Sequence, residues 1–163
     1  MRYATLAFAL LGLAAALLAA DPMIGTWNLN VAKSQYRPGP PPRAATITYA
    51  ETADGIKRTG QSVDADGNPT SFEYTAKYDS KDYPVTGSDT FDMIALKRIN
   101  DRTTEATLKK SGKVVSTARR VVSKDGKTLT LTITGTNIRI NNAQGIGRTS
   151  GSDSSRTRRP RVR

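Results

Sequence analysis

Ser71-Phe-Glu-Tyr-Thr-Ala-Lys-Tyr78 decides the fold class. Phe72, Tyr74, Ala76 and Tyr78 alternate with Glu73, Thr75 and Lys77, so an extended chain puts one set on a dry face and the other in water. A helix would scatter both sets around its circumference. Just upstream, Asp66-Gly-Asn-Pro69 supplies turn residues, as expected where antiparallel strands reverse.

The same period of two recurs along the chain. Trp27, Leu29 and Val31 alternate with Asn28 and Asn30, and Ile47 and Tyr49 share a face of the segment Thr46 to Glu51. Asp54-Gly55 reads as a hairpin turn, leading into a mostly polar strand from Gly55 to Val63. Beyond Tyr78, Ile94 and Leu96 oppose Met93, Ala95 and Lys97 within Thr90 to Ile99. Ala106 and Leu108 face inward from Thr103 to Lys109. Turns at Ser111-Gly112 and Lys124-Asp-Gly-Lys127 then frame Val114 to Ser123 and Thr128 to Thr134, where Leu129, Leu131 and Ile133 alternate with threonines. Ser34 to Arg43 carries prolines at 38, 40, 41 and 42 and reads as an extended surface connection. Tyr83 to Ser88 reads as a loop. The count is eight strands without a helical stripe: an all-β, antiparallel up-and-down meander. A closed barrel removes exposed edges, and a two-sheet β-sandwich is the alternative.

The ends differ in composition from the middle. Arg2 followed by an uncharged run rich in Ala and Leu, ending at Ala19-Ala20, reads as a signal peptide over residues 1–20; an uncleaved anchor helix is the other reading. Residues 21–137 then form the β domain, and the Arg/Ser-rich residues 138–163, poor in core-forming side chains, are expected to be a disordered tail. The formal net charge of +11 comes mostly from the ends. Between Asp21 and Gly135 the 17 cationic and 13 acidic residues leave only +4, an ordinary surface balance. The tail has no aromatic residues for base stacking, so anionic surfaces are its expected contact and specific nucleic-acid binding is not expected.

Export without any cysteine points to a bacterial periplasmic or secreted protein with no disulfide framework. Histidine is absent too, which removes the usual triads and the commonest zinc ligand. No catalytic residue, metal ligand or cofactor site is therefore assigned. Glu73 and Asp92 are the nearest thing to a catalytic carboxylate pair, without spacing to favour them. Asp64-Ala-Asp-Gly-Asn68 has the alternating oxygens of a calcium loop but not its later ligands, and reads as a turn.

Gly25-Thr26-Trp27, opening the first strand a few residues after the cleavage site, resembles the glycine-x-tryptophan signature of the lipocalin and calycin group. Gly25-Thr-Trp-Asn-Leu-Asn30, Lys33-Ser34, Pro38-Gly-Pro-Pro-Pro42 and Asp82-Tyr-Pro-Val-Thr-Gly87 together resemble small exported bacterial lipocalin-like proteins of unestablished activity, over residues 24 to 135. The resemblance implies a barrel plugged at one end by Gly25 and Trp27, with a basic side chain, Arg119 or Arg120, over the indole. It also implies a further apolar strand where this chain has its Ser/Arg-rich ending, which is either a genuine basic tail or the product of a shifted reading frame near Asn137. Tyr49, Phe72, Tyr74, Tyr78 and Met93 are the large side chains expected in the interior. They either fill it as a solid core or line a site for a small apolar ligand. The expected function is accordingly a non-enzymatic, monomeric binding protein, with a solid-core interaction domain of the envelope as the alternative.

Overall fold

The computed structural model describes residues 21–37 and 39–135, together with the backbone of 139–146. Eleven strands follow in chain order: β1 (Gly25–Asn30), β2 (Gln35–Arg37), β3 (Ala44–Thr52), β4 (Gly55–Val63), β5 (Pro69–Ala76), β6 (Asp79–Pro84), β7 (Met93–Asn100), β8 (Thr103–Lys110), β9 (Lys113–Val122), β10 (Thr128–Gly135) and β11 (Arg139–Ile146). A 3-10 turn, Val31–Lys33, follows β1 and is capped by the Asn30 side chain, which accepts from the Lys33 amide. All pairings are antiparallel, in the order β5-β4-β3-β1-β11-β10-β9-β8-β7-β6, and β2 pairs with β11 beside β1. The fold is all-β, as the alternation predicts. Among the described residues no helix is long and apolar enough to cross a membrane.

Turn chemistry explains much of this path. The β8–β9 loop is Ser111-Gly112, with φ of +48° and +77°; positive φ at both central positions suits the right-handed twist of the flanking strands. The β3–β4 reversal differs by one residue from the expected Asp54-Gly55 turn. Thr52 pairs with Gly55, so Ala53 and Asp54 form the loop and Gly55 opens β4 at φ +125°. A Cβ there would lie 2.5 Å from the Ala76 carbonyl oxygen, so glycine is needed for conformation and for space alike.

Three strands were not legible as such. The expected surface connection contains β2, because its prolines begin only after Arg37 and leave Gln35–Arg37 free to pair with Asn141–Arg139. The expected loop at Tyr83 overlaps β6, whose pairing with β7 is interrupted by a bulge between Asp79 and Asp82 that obscures its alternation. The sheet also continues past Gly135. The backbone of β11 lies between β10 and β1, within what composition assigns to a tail. The expected signal segment 1–20 and residues 147–163 lie outside the described residues.

The apolar core sits between the two halves of the sheet. One cluster joins Tyr74 and Ala76 of β5 to Phe91, Ile94, Leu96, Ala106, Leu108 and Ala118. The other joins Met23, Trp27, Tyr49 and Ile56 to Val122 and Leu129. Each draws on strands from both sides of β11, so each half covers the dry face of the other. Trp27 is 2% exposed, and its indole N–H donates to the Met23 carbonyl oxygen at 3.0 Å. The hydrogen bond lets a large amphipathic ring be buried without an orphaned donor. Gly25, two residues earlier, has φ +133°, outside the range that most side chains tolerate.

Trp27→Ala is expected to cost about 3–5 kcal/mol of unfolding free energy, read as a lower midpoint in urea. An unchanged midpoint would show that the indole does not support this core.

Candidate functional site

Register places the interior side chains in rows. Gly25, Tyr49, Arg58 and Tyr74 are successive partners across β1, β3, β4 and β5. Across the other half, Leu131, Arg120, Thr104 and Arg98 are successive partners on β10, β9, β8 and β7. Both rows carry arginine at buried positions. Arg58 is 6% exposed and Arg120 7%, burial that arginine rarely reaches without a paired anion.

Arg58 lies on the buried parity of β4, between Ile56 and Gly60. Its Nη1 donates to the Phe72 carbonyl oxygen at 3.0 Å, and its guanidinium lies 3.5 Å from the centroid of the Phe72 ring. Gly60 makes this position possible, since a Cβ on it would come within 2.5 Å of both terminal nitrogens. A recess of about 330 Å³ is bordered by Gly60 and Phe72, the residues against which this guanidinium rests, and by Glu73, Thr86 and Gly87. Here the chain beyond β6 meets β5 through a reciprocal bridge, Glu73 N–H to Thr86 O at 2.9 Å and Thr86 N–H to Glu73 O at 3.0 Å.

Arg120 shares its face with Ala118 and Val122 and is flanked by Thr104, which is 1% exposed. Its Nε is buried with no hydrogen-bond partner among the described residues, an uncommon and costly condition for a charged donor. The parity of β9 thus settles which of the adjacent arginines faces inward, because Arg119 is outside and pairs with Glu105. The expected stacking over Trp27 gives way to contacts elsewhere. Among the described residues the cation-π pairs are Arg58 with Phe72 and Arg98 with Tyr78, the latter at 4.1 Å.

The ion pairs among the described residues are Lys57–Glu73, Arg98–Asp21, Lys109–Asp82 and Arg119–Glu105. Neither Arg58 nor Arg120 is in one. Their buried neighbours are phenols. Burial pushes the Tyr74 hydroxyl up to about 12, with Arg120 and Arg58 pulling back against it; burial, then the charge of Asp21, raises Tyr78 further. Both are therefore neutral at physiological pH. Burial lowers the Arg58 pKa, with Tyr49 and Tyr74 opposing that effect and the nearby charge of Arg120 adding to it. Burial also works against the charge on Arg120, with Tyr49 and Tyr74 opposing that effect and leaving its pKa raised. The centre thus gathers two cations around tyrosine side chains.

Of the large side chains expected inside, Tyr49 and Tyr74 are buried, while Phe72 and Tyr78 are half-buried against the core, Tyr78 touching both clusters. Phe72 packs edge-on against Phe91 with centroids 5.1 Å apart. Met93 stands apart, on the opposite parity from the buried Ile94 and Leu96 and paired with Lys109 and Pro84. Tyr78 also borders a recess of about 850 Å³ at one end of the sheet, with Asp21, Pro22, Ile56, Ala76 and Arg98. Arg58 escaped the sequence reading because its strand looks merely polar. Its signal was shared parity with Ile56, opposite two tyrosines.

The carboxylates have local engagements. Glu73 faces Lys57, and Asp92 accepts from the Ser111 amide. Asp64 accepts from the Asn68 amide at 2.7 Å and from its side chain at 3.1 Å, which holds that carboxyl below its ordinary pKa; this is a turn-closing role. In comparisons with known proteins, the chain matches no protein family, no curated protein and no solved structure.

Tyr74 makes stability fall at alkaline pH. The unfolded phenol begins to ionise near pH 10 while the folded one resists until about 12, so its contribution is intact below 10 and is lost between those values, on the order of 2–3 kcal/mol. Urea midpoints measured across this range are expected to fall more steeply for the wild type than for Tyr74→Phe. Parallel curves would contradict the assignment.

Proposed function

We propose that the two halves of the sheet close into a lipocalin-like barrel, and that the chain is an exported, non-enzymatic bacterial binding protein. Its ligand is small, with an apolar body held against Tyr49, Phe72, Tyr74 and Tyr78, while Gly25 and Trp27 plug one end. Closure is supported by the Glu73–Thr86 bridge, which links the strand beginning the hydrogen-bonded path to the chain just beyond the strand ending it. The signal-like segment and the absence of cysteine support a periplasmic or secreted location. The lack of histidine, with the engagement of Glu73 and Asp92 at separate places, argues against hydrolytic chemistry.

The observation that carries the binding reading is the burial of Arg58 and Arg120 without a carboxylate partner among the described residues. A core selected only for stability would replace them with apolar side chains, because each buried uncompensated ion costs on the order of several kcal/mol. A second reading, a solid-core interaction domain, draws on the burial of Tyr49 and Tyr74, which are 3% and 4% exposed.

Native mass spectrometry of the protein purified gently from a periplasmic extract separates the two. A reproducible small-molecule adduct, lost on denaturation, is the expected result. Folded protein that is free of adduct, and that gains none from an envelope lipid and metabolite extract, would favour the solid-core domain.

A further inference from the structure

We propose that Arg58 and Arg120 form an interior oxyanion site that receives the carboxylate of the ligand. The inference rests on the binding reading above and specifies the chemistry of the ligand's head.

Three independent features converge on it. First, Arg120 is more than nine-tenths buried, and its Nε–H has no acceptor among the described residues. Guanidinium has a rigid fork of donors, and a carboxylate is the acceptor that satisfies two of them at once. Second, the Arg58 guanidinium is held in place rather than merely tolerated: Gly60 leaves room for it, the Phe72 carbonyl accepts from it, and the Phe72 ring supports its face. Third, several cations at the rim and on the outer face of these strands have carboxylate partners. Arg98 has Asp21, Arg119 has Glu105 and Lys57 has Glu73. The chain thus supplies anions at the rim and on the outer face but leaves the centre to its phenols. Tyr49 interacts with both buried arginines, and its hydroxyl can also donate to a bound oxyanion. The recess beside Gly60 and Phe72 lies next to the Arg58 cradle.

The test compares two apolar bodies, each with and without the charge: decanoate against 1-decanol, and 2-naphthoate against 2-naphthol. Binding to the full-length protein, stripped of any co-purified ligand, is followed by calorimetry at neutral pH. At least one carboxylate is expected to bind about 10- to 100-fold more tightly than its uncharged counterpart. That preference should vanish in Arg120→Met and in Arg58→Met. Gly60→Ala, which displaces the Arg58 guanidinium but keeps its charge, should weaken the preference. Circular dichroism checks that each variant is folded. In case one is not, the Nε–H resonance of Arg120 in the wild type gives a second readout, expected to shift on carboxylate addition but not with the alcohol. Equal affinities for the charged and uncharged members, or a stationary resonance, would overturn the anion site and leave the binding reading standing. Preference retained in both arginine variants would overturn it also, placing recognition elsewhere. If neither member of either pair binds and no adduct co-purifies, both proposals fall.

Discussion

Two guanidiniums on the dry side of a sheet set the terms for everything packed around them. Arg120 belongs to a row with Leu131, Thr104 and Arg98. On one side of that row Ala118, Ala106 and Leu96 join one apolar cluster, and on the other Val122 and Leu129 join the second. The charged row therefore runs along the division of the core. Small residues lie next to it: Ala118 and Ala106 on one half, Gly60 and Ala76 on the other. They free volume for long cationic chains and tyrosine rings that a uniform Leu/Ile packing would fill. Each cluster is anchored by an aromatic residue, Trp27 in one and Phe91 in the other, while Tyr78 packs against both. A small β domain without disulfides depends on its burial, and dividing that burial around a polar centre lowers the stability it can supply.

The architecture that permits this follows from a lack of covering helices among the described residues. The strands that build the core have a dry face with no helical layer over it, so the sheet covers itself. Consecutive strands pair as hairpins through most of the chain, which keeps connections short and directed by local turn residues. β11 pairs with its predecessor β10 and also with β1, and so joins the half containing the first strands to the half containing the last. Without it the two halves would present unpaired edges at β1 and β10, the arrangement that natural sheets avoid.

Alternation made most of this legible from residues alone. The strands around Tyr49, Tyr74, Ile94, Leu108 and Leu129 were readable because large apolar side chains recur at every second position, and their burial follows that parity. What escaped has a physical reason in each case. β2 is three residues long and abuts a proline run, so composition speaks for the prolines. A bulge breaks the parity of β6. β11 is rich in Asn, Gly and Gln, residues whose backbones pair as readily as any others although their side chains advertise no dry face. Of the interior set, Met93 was grouped by size rather than by parity. Arg58 was overlooked because charge is ordinarily a sign of the wet face, and the neighbouring Ile56 and Gly60 carry too little apolar weight to reverse that impression.

The distribution of partners gives the buried pair its meaning. A guanidinium loses most of its hydration on entering a protein interior, and proteins usually restore the balance with a carboxylate. This chain does so for Arg98 at the rim, where the recess leaves water nearby and the need is smaller, and for Arg119 on the exposed face, where the need is least. Among the described residues the two arginines with the greatest need have phenol and carbonyl oxygens and an aromatic face, and no carboxylate. Phenols satisfy donors but cannot cancel charge at neutral pH, and with Tyr74 raised to about 12 ionisation does not supply the anion either. Mutual repulsion between Arg58 and Arg120 adds to the cost. The interior therefore carries a positive potential in a low-dielectric setting, where an entering negative group is attracted more strongly than at the surface. A core that merely tolerated a stray polar residue would not place two like charges on facing halves of the sheet, cut a glycine to fit one and leave a donor of the other without an acceptor. It is on this arrangement that the proposed anion site rests.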